Sequence, residues 1–233
     1  MTKTKKHSTW RYRSPIRGFL RAAAQLLLLK PAVWSVLSVR VQNSANLDQL
    51  KKSQAFIIVA NHASHFDAPL IVGSLPWRLA RKLAIGAAAD YFFKSWHQAL
   101  PTRVLLNTFP VDRNGSTKYK GLAGQLLGER TSLLILPEGT RSRTGKIAPF
   151  KPGAAALAIK HRVPVLPIAL VGAYEAWPPG EKKWRTGRPP VRVNFGEPLW
   201  PGENETIEQF NTRLRNVVIK LYKTVKDDSP EKS

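Results

Sequence analysis

From Asp48 onward the chain alternates short apolar runs with longer amphipathic stretches. The runs Ala55–Ala60, Lys82–Ala88, Val104–Val111, Ser132–Pro137, Val163–Leu170 and Val191–Gly196 are β-branched or Leu-rich and bounded by Gly, Pro, Asn or charge. That pattern predicts strands. Between them, Ala68–Ser74, Asp90–Ala99, Ser116–Glu129 and Gly153–His161 fit helices. The clearest helix is Glu205–Lys226, where Ile207, Phe210, Leu214, Val217, Val218, Leu221 and Val225 recur at threes and fours on one face. Strands alternating with helices predict an α/β fold with a mainly parallel or mixed central sheet flanked by helices.

Upstream the pattern changes. Residues 1–14 are basic and polar, and an apolar segment follows over Ile16–Val41. Arg21, Lys30 and Arg40 divide it and Pro31 interrupts it. Neither uncharged piece, Ala22–Leu29 or Pro31–Val39, approaches the ~20 apolar residues that cross a bilayer. A signal peptide is disfavoured, since no small-residue cleavage site follows a single apolar run. The expectation is two short helices bent at Pro31. They would lie in a membrane interface, with Leu26–Leu29, Val33, Trp34, Val36 and Leu37 in the acyl region and the Arg and Lys heads on phosphates. The plain alternative is a helical hairpin packed on the domain's own core. The chain then divides into residues 1–46, a basic N-terminus with an interfacial hairpin; 47–226, the α/β domain; and 227–233, a disordered tail.

Charge adds a partner class. The 37 Lys and Arg against 15 Asp and Glu give a formal +22. Such a field draws polyanions: nucleic acid, anionic headgroups or acidic carriers. Cysteine is absent, which excludes disulfides, thiolate metal sites and cysteine nucleophiles. A nucleic-acid or anionic-surface module rests on the charge alone. It needs aromatic residues interleaved with basic ones, and only Trp184-Arg185 offers that. That pair lies in a loop, Tyr174–Pro190, with Trp177, Lys182, Lys183 and Arg188. The loop suits a headgroup-level contact or an ordinary surface loop with its tryptophans folded inward.

Three polar clusters follow apolar strands, where open α/β sheets place their sites. The first is Asn61-His62-Ala63-Ser64-His65-Phe66-Asp67. Four residues separate His62 from Asp67, which is not a same-face helical spacing. The two meet only if His62 lies in a loop and Asp67 opens the next helix. An imidazole oriented by a carboxylate is a general base; an Asp N-cap is the bland reading of Asp67. No further ligands accompany the pair, so no metal is expected. No Gly-x-Ser-x-Gly elbow is present; Ser64 could in principle be a nucleophile or simply support the loop. The second cluster is Phe109–Arg113 and the third Leu136–Ser142. Arg113 and Arg141 carry forked donors for phosphate. Gly139 permits close backbone approach, Thr140 offers a hydroxyl, and Glu138 would hold a substrate hydroxyl or brace an arginine. Lys151 adds a cation near the same mouth. His7, His65, His97 and His161 read as incidental.

Together these clusters resemble the glycerolipid, or lysophospholipid, acyltransferase superfamily. Asn61, His62 and Asp67 match its first block, Phe109–Arg113 its second, Glu138–Ser142 its third and Val163–Ile168 its fourth, in order across about Ala55–Leu170. The resemblance implies that residues 47–226 form an acyltransferase domain. In it the His-Asp pair would deprotonate an acceptor hydroxyl, which attacks the thioester of acyl-CoA or acyl carrier protein. Asn61, Arg113, Glu138, Gly139, Thr140, Arg141 and Lys151 would bind substrate. The implied acceptor is lysophosphatidate, giving phosphatidate for phospholipid biosynthesis; another lysolipid or a glycolipid is the alternative. The resemblance also implies no cofactor, a phospholipid surface as partner rather than nucleic acid, and a monotopic location on the cytoplasmic face of a membrane.

Overall fold

The computed structural model describes residues 7–52, 55–88, 104–111, 119 and 121–227. The expected helix Asp90–Ala99, Arg113 and residues 228–233 lie outside them. The described elements begin with α1 (Trp10–Arg13), α2 (Pro15–Ala24), a π-helical turn (Gln25–Leu29), α3 (Lys30–Val36), β1 (Ser38–Gln42) and a 3-10 segment (Ser44–Lys52). Then come β2 (Ile57–Ala60), α4 (Asp67–Ser74), α5 (Trp77–Ala80), β3 (Leu83–Ala88), β4 (Thr108–Val111), α6 (Leu122–Gly128) and β5 (Ser132–Ile135). The chain continues through α7 (Gly153–His161), β6 (Val165–Val171), α8 (Ala173–Ala176), β7 (Pro190–Phe195) and α9 (Ile207–Asp227).

Seven strands form one mixed sheet in the order β1-β7-β6-β2-β5-β3-β4. Every neighbouring pair is parallel except β6–β7. The mainly parallel expectation is met, and the reason is legible in β2. Its four residues are completely buried, as a parallel strand covered on both faces must be. Phe56, Ile58 and Ala60 face a core shared with α4, while Ile57 and Val59 face one shared with α6, α7 and α9. β2 passes the chain to α4 on one face, and its neighbour β5 passes it to α7 on the other. A crevice therefore opens at their carboxyl ends. On α9, Phe210, Leu214, Val218 and Val225 are the buried positions, while Ile207 is exposed.

Three expectations change. The N-terminal apolar segment is no hairpin: helix runs without a break over Pro15–Val36. Pro31 lacks the N–H of an ordinary helical bond, and the chain answers with a wider turn just before it, where Lys30 N–H bonds Gln25 O. Second, Ser38–Gln42 is not helical but forms β1, in register with β7 from Ser38↔Pro190 to Gln42↔Asn194. The sheet thus begins upstream of the boundary expected between residues 46 and 47. Third, residues 104–106 are helical, so β4 is shorter than its apolar run.

The helix also presents its faces differently. Val33 and Leu37 are buried in the domain core, where the sequence had placed them in lipid. Arg21 and Gln25, at 6% and 4% exposure, point inward. Arg21 Nη2 donates to Arg81 O at 2.9 Å and Gln25 Nε2 to Leu105 O at 2.6 Å. Burial lowers the Arg21 pKa to about 10, still charged at neutral pH. The outward side is Ile16, Phe19, Leu20, Leu26, Leu27 and Leu28, from 52% to 73% exposed. α4 packs against the inner side through Gly73, where an added Cβ would sit 2.8 Å from the Trp34 ring.

Candidate active site

Asn61 follows β2 directly, and its side chain continues the ladder. Its Nδ2 donates to Leu170 O at 3.0 Å and its Oδ1 accepts Leu170 N–H at 2.8 Å. Both ends of the amide bond to β6 and the residue is buried, so Asn61 braces the loop.

The loop then folds back on itself, the arrangement in which the spacing lets the two residues meet. His62 Nδ1 lies 2.8 Å from Asp67 Oδ2. The same oxygen accepts Ala63 N–H at 2.7 Å and Ser64 N–H at 2.8 Å. Asp67 is therefore the first residue of α4 with its carboxylate turned back into the loop; the N-cap position is Phe66, with no side-chain cap bond. Asp67 has no exposure, whereas the His62 side chain keeps 22%. An acceptor at Nδ1 places the ring proton there and leaves Nε2 as the basic nitrogen, which has no hydrogen-bond partner among the described residues. Ser64 Oγ donates to Trp177 O at 2.9 Å, a bracing role.

The turn after β5 supplies the opposite wall. Glu138 is buried and accepts His62 N–H at 2.7 Å on Oε1 and Ala148 N–H at 3.0 Å on Oε2. Burial raises its pKa, and the two N–H donors work against that rise. Ser142 N–H donates to His62 O at 2.7 Å. Gly139 has φ +75°, and a Cβ there would come within 2.9 Å of Lys151 Cε and Nζ. Glycine thus permits both the left-handed turn and the lysine lying across it. Lys151 N–H is tied to Pro137 O at 2.8 Å while its side chain is exposed, as is Thr140. Arg141 is half-buried, with Nη1 at 2.5 Å from the His65 ring nitrogens.

His65 was read as incidental, and here the structure differs. It meets Arg141, and its ring centroid is 4.5 Å from that of Trp177. Burial first, then the Arg141 charge, lowers its pKa, so the ring is neutral at pH 7. Among the described residues no carboxylate forms an ion pair with Arg141, so its positive charge stays uncancelled there. Trp177 and Trp184 divide the two readings of their loop. Trp177 folds inward on Phe66, whereas Trp184 remains 43% exposed. No sequence spacing pointed to Trp177, because it approaches His65 from more than a hundred residues away. Of the expected substrate ligands, Gly139, Thr140, Arg141 and Lys151 come together beside His62 and Asp67.

Residues 38–171 match the acyltransferase family model. The chain belongs to the acyltransferase family. Its fold is similar to the crystal structure of the 1-acyl-sn-glycerophosphate (LPA) acyltransferase PlsC from Thermotoga maritima, with a TM-score of 0.76 and 26% identity over 94% of this chain and 87% of that one. By sequence it is 28% identical to a 1-acyl-sn-glycerol-3-phosphate acyltransferase of Cocos nucifera over 75% of its length. It is 26% identical to the alpha form of that enzyme from Bos taurus over 76% of its length. The chain spans 54% and 61% of the lengths of these two curated relatives.

Proposed function

We propose that the protein transfers a fatty acyl group from a thioester to the free hydroxyl of lysophosphatidate, giving phosphatidate. The observation that carries the reading is the 2.8 Å contact between His62 Nδ1 and buried Asp67, with Nε2 left available. Nε2 removes the acceptor's hydroxyl proton as the oxygen attacks the thioester carbonyl. The tetrahedral intermediate collapses, the C–S bond breaks, and the imidazolium returns its proton to the leaving thiolate. Asp67 holds the ring and stabilises its charged form. Arg141 and Lys151 hold the acceptor phosphate, with Arg113 joining them on the sequence reading. Thioester-to-ester transfer is downhill, so the reaction draws on no cofactor beyond the acyl-CoA or acyl carrier protein that donates the chain. The names of the relatives support lysophosphatidate as acceptor.

The same reading places the protein on a membrane. The helix Pro15–Val36 is long and apolar enough to cross one by length and composition. Its inner side, however, is committed to the domain through Gly18, Arg21, Ala22, Gln25 and Val33. A helix bound along one side lies in the surface of one leaflet with the other side in lipid. Cations flank exposed tryptophans on the two short helices that contact α2: Arg17 lies 4.6 Å from the Trp10 ring and Arg81 4.9 Å from the Trp77 ring, a pairing suited to headgroups. The cytoplasmic face is the one on which soluble thioester donors are found.

The test offers purified protein palmitoyl-CoA and, separately, palmitoyl-acyl carrier protein, with a panel of lysolipids, and identifies products by mass. Phosphatidate from lysophosphatidate is expected, and His62→Ala should lose it by at least ~10²-fold while folding normally. Acylation of another lysolipid alone would overturn the acceptor, and turnover retained by His62→Ala would overturn the mechanism.

A further inference from the structure

Among the described residues, Glu138 makes no contact that suits the substrate-binding role its sequence position invites. Its carboxylate is buried, and each oxygen already accepts a backbone N–H, one from His62 and one from Ala148. The nearest arginine of its own turn, Arg141, rests on His65 instead. The His62 peptide is meanwhile gripped from both sides by residues of this one turn. Its N–H goes to Glu138 at 2.7 Å, and its C=O receives Ser142 N–H at 2.7 Å. The bond to Glu138 is charge-assisted, short and shielded from water, which makes it among the stronger kinds available to a loop.

The geometry points to Glu138 as a positioning residue that acts through the backbone of His62 and touches no substrate atom. It fixes the catalytic loop against the turn after β5 and against the segment entering α7. Asp67 sets the orientation of the imidazole ring; Glu138 sets where the backbone carrying that ring sits. Displacing a reacting group by about 1 Å lowers rates by ~10²-fold. A residue that holds such a position should therefore act on turnover and leave acceptor binding alone.

This inference rests on His62 being the base. Four variants separate the two ideas: Glu138→Gln, Glu138→Ala, His62→Ala and the double variant His62→Ala with Glu138→Gln. Gln keeps the shape and one acceptor oxygen for His62 N–H, but its amide NH₂ then faces the Ala148 N–H. We expect kcat to fall about tenfold in Glu138→Gln and about a hundredfold in Glu138→Ala, with KM for the lysolipid within about threefold of the parent. The His62 amide proton resonance should move upfield in Glu138→Gln as the charged acceptor is lost. In the His62→Ala background the Gln substitution should add nothing further to the loss, because there is no ring left to place. A rise in acceptor KM with kcat spared would overturn the inference in favour of a substrate ligand. Unchanged kcat per folded molecule with a lowered unfolding midpoint would overturn it in favour of a purely structural role. Full turnover by His62→Ala would instead remove the premise.

Discussion

Arg141 presents an unusual residue-scale balance: a half-buried guanidinium whose nearest partner is a neutral imidazole. An aspartate there would have cancelled the charge; histidine steadies the side chain and leaves the charge for an anion. Charged hydrogen bonds of this kind are worth about 1.5–3 kcal/mol. Arg141→Ala should therefore raise the KM for lysophosphatidate by roughly ten- to a hundredfold and leave the thioester KM near its parent value. Initial rates against acceptor concentration check this, and an unchanged acceptor dependence would remove the phosphate role. Sequence spacing allowed His62 to meet Asp67 if the first lay in a loop and the second opened a helix, and the resemblance made them a pair. It did not reveal what Asn61 and Glu138 bond to. Their partners, Leu170 N–H and C=O for one and the His62 and Ala148 N–H groups for the other, are backbone groups. Any residue supplies those groups, so they leave no mark in the sequence.

Elements follow the same division. α9 was legible because seven apolar residues repeat on one face, and α7 because Gly153 and His161 bracket an Ala-rich run. β1 was not. Ser-Val-Arg-Val-Gln alternates as a strand should, but it follows an apolar helix directly and carries Arg40. An edge strand with one exposed face gives a weak signal beside a long apolar run. The unbroken helix was also hidden, since proline ordinarily ends or bends one and a π turn is a rare accommodation. At the start of α9, Glu205 accepts Arg213 Nε at 2.8 Å on Oε1 and Arg213 Nη2 at 2.6 Å on Oε2. This bonding to Arg213 holds the Glu205 pKa below its ordinary value of 4.5. A depressed carboxylate contributes stability above its unfolded pKa and loses it as the pH falls through the folded value. Arg213 is 38% exposed, so solvent screening leaves only about 0.5–1 kcal/mol. Glu205→Gln should lower the unfolding free energy from urea titration by that amount at pH 7, and the difference should shrink as the pH falls through the depressed folded value of Glu205. A gap that persisted in acid would show that charge is not the source.

On the scale of the whole molecule, the proposed membrane contact falls to the exposed apolar strip. Deleting the N-terminus would be a poor test, because Val33 and Leu37 belong to the core and β1 to the sheet. Replacing Phe19 and Leu27 with glutamate alters only outward positions. Removing two apolar side chains from the acyl boundary forfeits roughly 3 kcal/mol, about a hundredfold in partition. Co-sedimentation with anionic vesicles should fall accordingly, with the unfolding midpoint unchanged. Equal sedimentation of parent and double variant would refute this face as the membrane contact.

Gly73 carries the last consequence. α4 begins with Asp67 and, six residues on, touches the Trp34 ring through a position with room for no side chain. That separation is roughly 9 Å along a rigid rod. On the proposed reading, the rod fixes how far the base rides above the acyl chains, much as a hull fixes a vessel's draught. An ester oxygen buried too deep, or floating too high, would miss Nε2 however well its headgroup fitted the cations. Depth would then join charge as a selector, and it would be set by the length of one helix rather than by any residue that touches the lipid.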